Sequence, residues 1–186
     1  MGCISSKVED KYATTNHSTV KESDFDNKNF SNVDDFNLND KLLLARVVDI
    51  CDGDKIVCVV HIFDNFYKFK IRLADVDIEG IKNIDSHNKE LTHIARNILY
   101  MLITNDKTVN TYEITKKYIL DKLQSKCHVV KLYCCNFDKY GRLLAYVFNK
   151  DFVFDNTEHK YLVQYNKVFS YNYYLIQQDL ALYYNS

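Results

Sequence analysis

Residues 70–80, KIRLADVDIEG, crowd three carboxylates, Asp75, Asp77 and Glu79, into five positions, with Arg72 just before them. Two other charged clusters stand apart in the chain: Asp52-Gly53-Asp54, and Asp138-Lys139-Tyr140-Gly141-Arg142. Carboxylate oxygens suit a hard cation such as Ca²⁺ or Mg²⁺. Arginines stabilise the charge that builds on a phosphoryl group under attack. A metal-activated water needs a nearby base, and a glutamate serves. Together the clusters hold the residue types of phosphodiester hydrolysis. Taken singly, each is better read as a solvated turn, since Asp-Gly and Lys-Tyr-Gly are good turn formers.

Such a site needs elements that bring distant clusters together. Residues 42–50, 55–63 and 66–74 are rich in β-branched and aromatic types and are predicted to be three strands, with turns at 52–54 and 64–65. Leu91, Ile94, Ala95, Ile98, Leu99 and Leu102 repeat with helical spacing, which predicts an amphipathic helix over 86–103 capped by Ser86. A second helix is expected over 113–124, strands over 127–135 and 142–148, a short helix from Ser170 to Asp179 and a last strand over 180–184. The order predicts an α+β, mainly β domain: a small barrel with helices packed on it, whose strand ends carry the charged clusters.

Residues 8–39 are rich in Asn, Asp, Ser, Thr and Lys and show no sustained period, so a disordered linker is expected between a head at 1–7 and a domain at 40–186. Charge divides along the same boundary. Residues 1–39 hold four Lys against seven acids, and the remainder holds 20 basic against 18 acidic residues. No apolar run approaches the roughly 18 residues that span a bilayer, and no signal-peptide stretch opens the chain. Six cysteines form no CxxC pair and the histidines are scattered, so no zinc spacing is present. Cys51, Cys58, Cys127, Cys134 and Cys135 fall in or beside apolar runs, which predicts buried free thiols in a reducing compartment.

DGDKIVCVV (52–60), KIRLADVD (70–77), an amphipathic helix and DKYGRLLAYV (138–147), in that order, resemble the thermonuclease (staphylococcal-nuclease-like) family, from about Leu42 onward. The resemblance implies a five-stranded OB-type barrel and Ca²⁺-dependent cleavage of DNA or RNA. It implies Asp54 and Asp77 as metal carboxylates, the carbonyl of Ile78 as a third ligand, and Arg72 and Arg142 as holders of the scissile phosphate. Lys139 and Tyr140 would sit near a terminal phosphate, and Tyr183 or Tyr184 would line the nucleotide pocket. Residues 175–184, LIQQDLALYY, are similar to the family's closing segment, with Asp179 in place of its glycine. Three other positions depart. Lys55 stands where the family has threonine, Glu79 where it has proline, and Gly80 where it has the glutamate base. Glu79 is then the candidate base, one residue out of register.

The opening MGCISSK carries separate information. Gly2, with Ser6 at the expected spacing, fits N-myristoylation, and Cys3 is a candidate for palmitoylation beside it. Two acyl chains anchor stably where one binds only marginally, which predicts a protein held on the cytoplasmic face of a membrane. Three functions stay open: a membrane-tethered Ca²⁺-dependent nuclease, an anchored barrel that grips nucleic acid or protein without cleaving, and a lipid-anchored adaptor whose acidic triplet is a solvated edge. No specific protein partner is indicated.

Overall fold

A computed structural model describes residues 20–78, 88–154 and 166–184 of the chain. The chain divides into two compact units, residues 1–36 and 37–186. In the first, the described residues are exposed and form one 3-10 turn, Glu22–Phe25, a local exception to the structureless linker expected there. The second unit begins three residues before the predicted boundary. Leu38 is buried in the core and the Asp40 amide donates to the Cys134 carbonyl at 2.9 Å, so these residues belong to the barrel.

Strands β1 (Leu42–Asp52), β2 (Lys55–Ile62), β3 (Asn65–Leu73) and β4 (Val76–Asp77) are followed by helices α1 (Asn88–Thr104) and α2 (Lys116–Ser125), strands β5 (His128–Phe137) and β6 (Leu143–Asn149), helix α3 (Tyr171–Gln177) and strand β7 (Leu182–Tyr183). Five strands close a barrel in the order β1-β2-β3-β6-β5. All neighbours are antiparallel except β3 and β6, which run parallel. This is the expected OB-type barrel in an α+β, mainly β domain. Strict alternation builds it: in β2, Ile56, Cys58 and Val60 turn inward and are buried, while the residues between them turn outward. Two register shifts in β1 bend that strand round the barrel.

Helix α1 lays Ala95, Leu99 and Tyr100 on the core, as its spacing predicts, and Ile119 and Leu123 of α2 join them. Thr115 caps α2 by accepting from the Tyr118 amide at 3.2 Å, which is why the helix starts at 116 and not at 113. Ser170 caps α3 in the same way, accepting from the Tyr173 amide. Ser86, the cap predicted for α1, lies outside the described residues. In α3 the fully buried Asn172 donates to the carbonyls of Ala74 (2.9 Å) and Ala145 (3.0 Å) and accepts from the Val147 amide (2.9 Å). One amide side chain thus ties the end of β3 to β6, where the parallel pairing leaves backbone groups to satisfy.

The strand predicted over 66–74 stands as β3, one residue earlier at each end, and two other expectations need correction. The chain breaks at Asp75, which takes φ 60°, and restarts as β4. The last strand is only two residues long and pairs with β4, Val76 with Tyr183 and Asp77 with Leu182. Of the five thiols expected to be buried, Cys58 and Cys134 are, Cys135 is half-buried, and Cys51 and Cys127 are exposed, because they sit where strands β1 and β5 leave the core. No described helix is long and apolar enough to cross a membrane.

Candidate phosphate-binding cleft

Asp54 sits where the β1–β2 turn enters β2, and the fold leaves that turn no freedom. A Cβ added to Gly53 would lie 2.5 Å from Ile78 Cδ1 and 2.7 Å from Ala95 Cβ. Only glycine lets the turn press against both α1 and the residue that follows β4. The Asp54 carbonyl then accepts from the Leu73 amide at 2.9 Å, fixing the turn to the end of β3. The Asp54 side chain is fully buried. Its Oδ1 faces Lys55 Nζ at 3.3 Å and its Oδ2 faces Arg72 Nη1 at 3.4 Å, both longer than the roughly 2.7–2.9 Å of a charge-assisted hydrogen bond. Neither oxygen accepts a hydrogen bond of good geometry. Burial pushes the Asp54 carboxyl above its ordinary range, and Lys55 and Arg72 only partly offset this.

Arg72, at the end of β3, also donates from Nη2 to the Val76 carbonyl at 3.5 Å. One guanidinium therefore bridges the buried carboxylate and the backbone of β4, the strand that carries Asp77. Asp77 is half-buried, and Ile78 is buried against Gly53.

The other wall is the turn before β6. Asp138 organises it: Oδ1 accepts from the amides of Tyr140 and Arg142, each at 2.9 Å, and Oδ2 accepts from Arg142 Nε at 2.6 Å. Gly141, at φ 72°, supplies the left-handed residue that closes the turn. Burial pushes the Asp138 carboxyl up, but the bonds from Arg142 and Tyr140 outweigh it and hold the carboxyl below its usual range. Arg142 Cζ and Lys139 Nζ each lie 5.2 Å from the centre of the exposed Tyr140 ring. Between the walls opens a cleft of about 440 Å³ lined by Lys70, Arg72, Tyr140 and Arg142.

The cleft thus gathers Arg72, Tyr140 and Arg142 from sequence-distant clusters, with Asp54 behind Arg72. It also adds Lys70, which the sequence analysis passed over although it shares the Arg72 face of β3. Lys139 is not among the residues that line the cleft. Tyr183 lies under Lys167, whose Nζ is 5.5 Å from the ring centre, and the Tyr184 amide donates to the Asp75 carbonyl at 2.9 Å. Neither tyrosine is among the cleft-lining four. Asp75 is structural: its carboxylate accepts from the Tyr146 hydroxyl and lies 3.8 Å from Lys167 Nζ. Glu79, Gly80, Gly2 and Cys3 lie outside the described residues.

Among the described residues no three His, Cys, Asp or Glu side chains converge on one point. Asp54 nevertheless has the chemistry of a cation ligand, since it is a buried carboxylate with two oxygens short of donors. No family model matches the chain, and no curated protein and no solved structure matches it.

Proposed function

We propose that the barrel binds the phosphodiester backbone of DNA or RNA in this cleft and cleaves it, as a thermonuclease-like enzyme held to a membrane by acyl chains on Gly2 and Cys3. The observation that carries the proposal is the convergence of Arg72, Arg142, Lys70 and Tyr140 on one cleft, with a buried carboxylate directly behind. Two guanidiniums on opposite walls clamp a tetrahedral anion and stabilise the charge that grows on its equatorial oxygens. Each is held in place, Arg72 by Asp54 and Val76 and Arg142 by Asp138, so little ordering is left to the moment of reaction. Tyr140 offers a ring for a base or sugar beside the clamp. Ca²⁺, held by Asp54, Asp77 and the Ile78 carbonyl, would supply further positive charge against the phosphate. Glu79 is the candidate to take a proton from the attacking water.

The alternative is a barrel that grips nucleic acid without cutting it. The ion pair of Lys55 with Asp54 favours it, because that pair places a protein cation where the metal is expected. A plasmid-nicking assay with Ca²⁺ and with chelator separates the two. The nuclease nicks in Ca²⁺, stops in chelator, and loses on the order of 10²-fold or more in rate in Arg142→Ala at unchanged thermal stability. Retained plasmid binding without nicking would establish the binding module. Full nicking by Arg142→Ala would remove the cleft from the chemistry.

A further inference from the structure

The end of the barrel remote from the cleft is layered in a way that neither the core nor the cleft explains. Phe63 and Asp64 turn β2 into β3, both with a left-handed backbone (φ 50° and 59°), the pattern of a hairpin turn that favours Asn-Gly. A phenylalanine is strained in that conformation, and no packing compensates, since Phe63 is 70% exposed. The next row back is apolar too. Phe66 is 75% exposed and packs beside His61, its cross-strand partner, with ring centres 4.8 Å apart. Leu44 of β1, 61% exposed, comes level with His61 one step beyond the Ala45–Val60 pair. The row behind that is cationic. Arg46 and Lys68 flank Val59 across three strands. Both are exposed, and neither forms an ion pair with another described residue. Asp64 is the one acid between Lys55 and Arg72. Rings at the tip with cations about 6.7 Å behind them follow the depth order of a bilayer interface, where apolar side chains enter the acyl boundary and cations meet anionic headgroups.

We propose that this end of the barrel docks on an anionic membrane, with Phe63, Phe66 and Leu44 entering the lipid surface and Arg46 and Lys68 lying against the headgroups. The docking rests on the lipid anchor assigned to Gly2 and Cys3 and adds the face that meets the bilayer. The point where the chain enters the barrel selects this occupant. Because β1 and β2 are antiparallel, β1 begins, at Leu42, at the same end as the Phe63–Asp64 turn. The residues that carry the acyl sites are therefore joined to the barrel at its apolar end. One acyl chain holds a protein only marginally, and rings and cations at the point of attachment add to its hold. Docked this way, the cleft stays open to a polyanion. Arg72 lies beyond Lys68 on β3 by about 13 Å along the strand. The repulsion of an anionic surface falls off within a Debye length of about 8 Å.

Flotation of the full chain, made without acyl transferases and kept in chelator, reads the docking apart from the anchor. The vesicles are equal parts phosphatidylcholine and phosphatidylserine. The unacylated parent should float with them. Phe63→Asn and Phe66→Ser should each weaken partitioning by about tenfold. Phe63→Asn should also raise the melting temperature, because asparagine accepts the left-handed turn, and Phe66→Ser should leave it unchanged. Arg46→Gln and Lys68→Gln should each cost about fivefold on these vesicles and nothing on phosphatidylcholine alone. Parent-like flotation by all four variants, or no flotation of the parent, would overturn the docking. So would a dimer in sedimentation that Phe63→Asn and Phe66→Ser abolish, which would give the rings to a second copy. Loss of oligo(dT) binding in these two variants with flotation unchanged would give the rings to nucleic acid and overturn it as well. Mass spectrometry of the chain from acylating cells tests the anchor separately. Unmodified Gly2 and Cys3 would remove the anchor, with the flotation result still deciding the docking.

Discussion

Lys55 holds its ammonium 3.3 Å from one oxygen of Asp54 while Arg72 holds the other oxygen at 3.4 Å, so a carboxylate with no solvent exposure is shared by two cations of the same chain. A divalent ion approaching Asp54 meets Lys55 first. Lys55→Met keeps the length of the side chain and removes the charge, and it should tighten Ca²⁺ binding by about tenfold, given the several kcal/mol of repulsion between close charges near a protein surface. Isothermal calorimetry reads this without reference to cleavage. Unchanged affinity would show that Lys55 does not compete for the position.

The same carboxylate sets a pH dependence. Burial raises the Asp54 carboxyl above its unfolded value despite its two partners. The folded protein therefore binds that proton more tightly than the unfolded chain. Stability is undiminished below the unfolded value of about 3.9 and is lost as pH rises towards the folded value. Asp54→Asn removes the titration. Between pH 4 and pH 7 the stability difference should move in favour of the asparagine variant, as urea midpoints at the two pH values would show. A difference independent of pH would contradict the shift.

Asp138 carries the opposite sign. Its carboxyl is held below the usual range, so the stability it contributes is present above the unfolded value and lost as pH falls through the folded one. Asp138→Asn should cost about 1.5–3 kcal/mol at pH 7, the typical worth of a hydrogen bond to a charged group, and should cost less near pH 2. Denaturant melts at the two pH values check this. It should also loosen Arg142 and weaken oligonucleotide binding, although Asp138 itself does not line the cleft.

Asn172 is the residue whose loss should damage the fold most for its size. Asn172→Ala leaves the Ala74 carbonyl and the Val147 amide at the β3–β6 junction without their partner, and takes one of two donors from the Ala145 carbonyl, which the Ala74 amide still serves. Each orphaned buried group costs about 1–3 kcal/mol, so a loss of about 3 kcal/mol or more is expected in chemical denaturation. A loss below 1 kcal/mol would mean that the junction repacks or takes in water.

The barrel strands were legible because their signal is local. Ile56, Cys58 and Val60 alternate with outward residues within eight positions, and the spacing from Leu91 to Leu102 announces α1. The cleft was legible in part. Arg72 and Arg142 stand at the ends of readable strands, so a closed barrel had to bring them near each other. What escaped depends on distant partners. Strand β4 is two residues long and shows no period of its own; its partner lies over a hundred residues away. Asn172 looks like an ordinary polar residue in a short helix until Ala74, 98 positions earlier, is brought to it. The pairing of Lys55 with Asp54 was hidden because a lysine next to an aspartate usually points to water; here the turn at Gly53 buries the aspartate.

The brevity of the β4–β7 pairing bears on how the protein would fail. Two residue pairs hold β4 and β7 together as a separate two-stranded sheet, while the barrel closes through five longer strands and does not need them. Backbone pairings this short open at a free energy below that of global unfolding. On warming, the β4–β7 pairing should therefore open while the barrel is still intact. Amide protons of residues 76–77 and 182–183 should exchange well before those of β2, and function should disappear several degrees below the melting transition. The protein would then behave as a heat-sensitive site carried on a heat-tolerant frame.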